Sequence, residues 1–264
     1  MDMLQDVNTG ISWVLSNMHL YGGDPHEVFL VGQSAGGHLT SLAMLAQAIL
    51  SYSGSSGASN SSATDSSNNN NNSSSRQEDG MVAGARDDAT ARATVVGGCP
   101  SWDLSKIKGY VGVSGAYNLL TLADHLHRRG LYRHLFESIM TGPEGRPMLQ
   151  GLSPALIAQT NLPPAAAARI PHILLLHGTA DKSVPIENAR GFAEALHGVG
   201  VECRLKEYEG KTHTQPIIED PMRGGRDELM DEVLTLIRGE PCLNVQFPML
   251  PGILIDAATL VCPF

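Results

Sequence analysis

A short apolar run, Val28-Phe29-Leu30-Val31, leads into Gly32-Gln33-Ser34-Ala35-Gly36, and a stretch rich in leucine and alanine, residues 38–50, follows at once. No other feature of the chain restricts its fold as much. A wholly apolar run of this kind reads as a strand buried in a parallel sheet. The segment Gly32 to Gly37 reads as a tight turn, and the stretch after it as a helix. A serine at the tip of a strand-to-helix turn sits in a strained backbone, and only small neighbours let the adjoining chains approach it. The helix that follows begins with unpaired amides and a positive partial charge. The N–H of Ala35 is therefore expected to point where an oxyanion would form.

The same alternation runs through the rest of the chain. Leu4, Val7, Ile11, Val14, Leu15 and Met18 recur at helical spacing over residues 4–19, and Gly22, Gly23, Asp24 and Pro25 end the pattern. Further strands are expected at Tyr110–Val113, at Ile173–Leu176 after Pro171, and at Val201–Tyr208. Helices are expected at 186–197 and 226–238, and residues 118–160 read as helical and rich in loops. Apolar strands separated by helices imply an α/β fold, a mostly parallel sheet with helices on both faces. Ligands in such sheets gather beyond the carboxyl ends of the strands.

A chain of 264 residues is long enough for one such domain, spanning 1–264. One segment interrupts it. Residues 51–94, with the asparagine run 68–72, are Ser, Asn, Gly and Ala with almost no large apolar side chain. Such a segment cannot bury enough surface to offset its ordering entropy, and it is expected to be a disordered insertion on the surface. The paired acids Asp87 and Asp88 fall within it as solvated charge. Over the whole chain 42% hydrophobic and 17% charged residues indicate a globular protein, and a net charge of −9 without a basic stripe argues against nucleic acid as a partner. The opening residues lack the charged start of a signal peptide. No run reaches the ~18 apolar residues of a membrane span; the nearest, Phe247 to Phe264, is broken by Pro248, Pro251, Asp256 and Pro263.

A serine hydroxyl needs a base. His213, in Gly210-Lys211-Thr212-His213-Thr214 between the fourth strand and the last expected helix, is the candidate. Asp181, in the loop His177-Gly178-Thr179-Ala180-Asp181 after the third strand, is the candidate acid that fixes the imidazole tautomer. The chain order Ser34, Asp181, His213 is that of α/β-hydrolases. Gln33, Ser34 and Ala35 form the expected substrate and oxyanion surface. His177 is expected to pack or hydrogen-bond under the acid loop. His125, His127 and His134 lie in helical sequence without convincing ligand spacing, so no metal site is expected, and the reaction needs no cofactor. Cys99, Cys203, Cys242 and Cys262 are scattered and read as thiols of a reducing compartment.

GGDP at 22–25, VGQSAGGHL at 31–39, GVSGAYNL at 112–119, DHLHRRGLYRHLFESIM at 124–140, HGTADKSVP at 177–185, GKTHT at 210–214 and DPMRGGRDEL at 220–229 resemble plant isoprenylcysteine methylesterases. The resemblance spans nearly all of the chain outside 51–98. It implies hydrolysis of the methyl ester on a carboxyl-terminal prenylated cysteine, with prenylated, carboxyl-methylated proteins or prenylcysteine methyl esters as partners. It also implies an endoplasmic reticulum or Golgi membrane location. Ser34, Asp181 and His213 match the family's triad. By the same resemblance the hydrolase domain is incomplete at its N-terminal side: the missing part would hold the first strands, any membrane attachment and an HGG-type loop with a second oxyanion donor. The segment 118–160 would make a small helical cap, with Leu119, Leu120, Leu122 and Leu126 lining a prenyl groove and Arg128 and Arg129 facing solvent. Two alternatives remain at this point: a general carboxylesterase or lipase of the same fold, and a catalytically inactive fragment or binding module.

Overall fold

The computed structural model describes residues 2–56, 100–142 and 145–261. The helix expected to end at residue 50 runs on to Ser56, into the expected insertion, and beyond that position the insertion lies outside the described residues, as do Asp87, Asp88, Cys99 and Cys262. The elements in chain order are α1 (Asp2–Asn17), β1 (Val28–Gln33), α2 (Ala35–Ser56), β2 (Ile107–Val113), α3 (Leu119–Arg128), α4 (Arg133–Ile139), α5 (Pro154–Asn161), α6 (Pro164–Ala167), β3 (His172–Gly178), α7 (Glu187–Gly198) and β4 (Cys203–Tyr208). They are followed by a π-helical turn (Gln215–Glu219), α8 (Asp220–Arg223), β5 (Gly225–Arg226), α9 (Glu228–Arg238), β6 (Val245–Gln246) and α10 (Gly252–Val261).

β1, β2, β3 and β4 form a parallel sheet in that order. Each strand reaches its neighbour through at least one helix, as parallel pairing demands. The two faces bury separate sets of side chains. On one face Tyr110, Ile173, Leu175 and Cys203 join residues of α1, α2, α5 and α7 in the larger core. On the other, Val111, Val113, Leu174, Leu176 and Tyr208 pack against Leu229, Val233 and Leu236 of α9. Ile173 to Leu176 are all at 0% exposure, which explains why β3 shows no polar alternation in sequence. Each such aliphatic side chain contributes about 1.5–3 kcal/mol relative to an exposed one.

Local chemistry sets the element ends. The Asn118 side chain accepts from the amides of Leu120 and Thr121 and so caps α3, and Asp227 accepts from Met230 and caps α9. Gly22 ends the 3₁₀ turn Met18–Tyr21 that follows α1, and Gly239 ends α9, both in left-handed conformations. Asn8 of α1 ties the larger core to the chain beyond the undescribed segment: its Oδ1 accepts from Gln47 Nε2 at 2.9 Å and Trp102 Nε1 at 2.8 Å.

Several sequence expectations change. The turn read over Gly32 to Gly37 is shorter: β1 runs to Gln33 and α2 begins at Ala35, so Ser34 alone makes the bend. β1, read as buried, pairs with β2 alone among the described residues, and Val31 is 52% exposed. Val14, placed on the inner stripe of α1, faces solvent. The proline-broken tail carries a short helix, α10, which starts just after Pro251 because proline is tolerated at a helix entry. No helix of the described residues is long and apolar enough to cross a membrane.

Candidate active site

The parallel register brings the carboxyl ends of the strands level: Gln33 lies beside Val113, Val113 beside Leu176, and Gly178 beside Tyr208. The residues that leave the strands there therefore share one rim. Ser34 leaves β1 with φ +53°, a left-handed value that costs a non-glycine residue of order 1 kcal/mol. The strain is held by two backbone bonds, Ser34 N–H to Val113 O at 2.9 Å and His38 N–H to Ser34 O at 3.1 Å. Gly32 is required beneath the bend, because a β-carbon there would lie 2.5 Å from Gly36 O and closer still to Thr40 Oγ1.

The loop after β3 and the loop after β4 are laced together. Ala180 N–H donates to Lys211 O at 3.0 Å, Gly210 N–H to Thr179 Oγ1 at 2.8 Å, and Thr179 N–H to Tyr208 O at 3.0 Å. A β-carbon at Gly178 would collide with Lys211 O, so the approach of the two loops depends on glycine there. The lacing puts His213 against both Asp181 and Ser34. His213 Nε2 lies 2.9 Å from Ser34 Oγ, and His213 Nδ1 lies 2.7 Å from Asp181 Oδ2. The other carboxylate oxygen of Asp181 accepts from the amides of Ser183 at 2.8 Å and Val184 at 2.9 Å.

Burial pushes the Asp181 carboxyl up. Hydrogen bonding from His177, His213 and the Val184 amide outweighs that and holds it well below the usual carboxylate range. An ionised Asp181 accepts the proton on His213 Nδ1, which leaves Nε2 as a lone pair directed at the Ser34 hydroxyl. The chain of hydroxyl, imidazole and carboxylate can thus take a proton from Ser34 and return it. Ala35 opens α2, so its N–H lies in the first turn, where no intrahelical acceptor exists. Gln33 Nε2 stands 3.5 Å from His213 Nε2, on the same side as the hydroxyl.

Of the other candidate histidines, only His177 touches the triad, through Asp181. His177 is buried, with Nε2 2.9 Å from Val184 O. His125 lies on α3 and bonds the carbonyl of Lys182 at 2.7 Å, where Arg129 also donates; these contacts between α3 and the acid loop have no local sequence signal. His127 bonds Leu131 O, and His134 stacks loosely on Tyr132. Among the described residues no three metal-ligating side chains gather. The expected groove of four leucines is not formed as such: Leu119 and Leu122 are at 0% and 5% exposure within the larger core, and Leu120 and Leu126 pack partly against it. The four leucines share one side of α3, and that side faces the protein. Sequence reasoning also missed His38, buried four residues after Ser34, whose Nε2 bonds Leu152 O at 2.8 Å and so ties α2 to the entry of α5.

The BD-FAE family model matches residues 2–196. The chain is 37% identical over 239 residues to a probable isoprenylcysteine alpha-carbonyl methylesterase of Oryza sativa subsp. japonica, covering 90% of this chain and 46% of that protein. It is 36% identical over 239 residues to the isoprenylcysteine alpha-carbonyl methylesterase of Arabidopsis thaliana, covering 90% of this chain and 45% of that protein. The chain thus spans about half the length of the curated relatives it matches. Among solved structures, esterase B from Lactobacillus Rhamnosis (HN001) superposes with a TM-score of 0.57 at 15% identity, covering 89% of this chain and 59% of that one.

Proposed function

The chain belongs to the BD-FAE family and has the α/β-hydrolase fold, and from that premise we propose that it is a serine esterase acting on the methyl ester of carboxyl-terminal isoprenylcysteine. The observation that carries the esterase reading is the unbroken relay Ser34 Oγ, His213 Nε2, His213 Nδ1, Asp181 Oδ2, with steps of 2.9 and 2.7 Å across the ring. The narrower substrate reading is supported by the sequence likeness to methylesterases. With it comes action on prenylated proteins at an endoplasmic reticulum or Golgi membrane.

In this reading Ser34 attacks the ester carbonyl while His213 Nε2 takes its proton. Asp181 keeps the ring in the needed tautomer and stabilises the imidazolium. Charge that develops on the carbonyl oxygen is met by the Ala35 amide at the head of α2. His213 returns the proton to the departing methoxide, which leaves as methanol. Water, activated by the same imidazole, cleaves the acyl-enzyme to the free carboxylate.

One observation favours a broader carboxylesterase reading: Leu119 and Leu122 are spent on the core rather than left to line a prenyl groove. Competitive turnover of a farnesylcysteine methyl ester against a short p-nitrophenyl ester separates the two. The narrow reading predicts a higher kcat/KM on the prenylated ester. An equal or lower value leaves the general esterase.

A further inference from the structure

Asp181 is held from two sides, and only one of them belongs to the relay. Its Oδ2 lies 2.7 Å from His213 Nδ1 and 3.2 Å from His177 Nε2, and the side chains of Asp181 and His177 are both at 0% exposure. Together with the amides of Ser183 and Val184 on Oδ1, these contacts fill the roughly four acceptor sites of an ionised carboxylate. We infer that His177 is a positioning residue for the triad, its Nε2–H steering the Asp181 carboxylate into line with His213. The inference rests on the triad reading given above.

The ring itself carries the argument. The Nε2–H tautomer satisfies Val184 O at 2.9 Å and faces Asp181 Oδ2 with the same proton. That choice leaves Nδ1 as a buried nitrogen without a hydrogen-bond partner. A buried polar atom without a partner is costly, and simple packing at the end of β3 would be met without that cost by leucine, as at the preceding positions 174–176. What leucine cannot supply is a rigid N–H at that point. No other carboxylate competes for it on the adjoining strand: Glu207, level with His177 on β4, is engaged by Arg190 through bonds of 2.8 and 2.6 Å. The same N–H also fixes the loop, since Val184 O lies just beyond the two amides that grip Oδ1.

His177→Gln, His177→Asn and His177→Leu in the full chain test the inference. Glutamine carries an amide nitrogen close to the Nε2 position, and asparagine carries it close to Nδ1. This polar pair keeps the test decisive if the leucine variant does not fold. The readouts are kcat and KM on p-nitrophenyl acetate, and the downfield proton resonance of His213 Nδ1–H, which needs no turnover. A displaced acid is expected to lower kcat by about 10²-fold with KM unchanged in the Asn variant. That variant should also shift or lose the downfield resonance, and Gln should restore both. Equal kcat and an unchanged resonance in Asn and Gln, or a Gln variant as impaired as Asn, overturns the inference and leaves His177 a packing residue. A folded wild type that shows the resonance without turnover, with the resonance lost in Asn and kept in Gln, would remove the esterase reading and keep the positioning role. A wild type with neither signal overturns both.

Discussion

The two glycines that frame Ser34 look equivalent in the sequence, yet the structure separates them. At Gly32 an added methyl would meet Gly36 O at 2.5 Å, Gly36 C at 2.7 Å and, nearer still, Thr40 Oγ1. Two of these atoms are backbone of the first turn of α2. The third is held by its own bond to Gly36 O at 2.6 Å, so it cannot move aside freely. At Gly36 an added methyl meets nothing within 4 Å. Gly32→Ala should therefore behave as a severe overpacking substitution, costing about 3 kcal/mol, the upper part of the usual range, because backbone must shift. Gly36→Ala should be neutral or stabilising by up to about 1 kcal/mol through helix propensity. Urea unfolding reads both: with a slope of about 3 kcal/mol per molar, Gly32→Ala lowers the midpoint by about 1 M and Gly36→Ala does not lower it. Equal midpoints for the two variants would refute the claim that the bend rests on close packing of β1 against α2.

Other consequences follow from the same geometry. Asp181→Asn should fold but lose kcat by ~10³–10⁴-fold, the scale seen when a triad acid is replaced by its amide and the imidazole takes the wrong tautomer, as measured by steady-state turnover. Because the folded-state Asp181 carboxyl is held below its ordinary range, its contribution to stability is complete above about pH 4 and declines as pH falls toward the depressed folded value. Unfolding midpoints at pH 6 and pH 3 should show that loss in the wild type and a smaller one in Asp181→Asn. Replacement of Ser114, at φ +48° with a buried hydroxyl that has no partner among the described residues, by glycine should stabilise the fold by about 1 kcal/mol, read by thermal unfolding.

What the sequence disclosed was whatever local pattern dictates. The apolar runs at 28–31, 110–113 and 173–176 all fall within strands, where branched and aromatic side chains suit a pleated surface, and the spacing in 226–238 marks the helix that covers the second face. Ser34, Asp181 and His213 were legible as strand-end residues, and their meeting follows from the common register of β1 to β4. Details set by non-local contact were not legible. Glycines 36 and 37 read as turn, yet they enter α2, because packing of that helix on the sheet outweighs their low propensity. The π-helical turn after His213 and the short ribbon of β5 with β6 have no periodic signature. The place of His177 under the acid loop was legible, but the bonds from His125 and Arg129 to that loop join residues whose sequence neighbours give no hint of the partner.

The central claim, that the Ser34 hydroxyl is activated by His213, is tested most directly by reaction of the folded chain with a fluorophosphonate and localisation of the adduct by peptide mass spectrometry. The account predicts one adduct, on Ser34, formed rapidly in the wild type and very slowly in His213→Ala. A folded wild type with no adduct on Ser34, or one formed just as fast after removal of the imidazole, would contradict it.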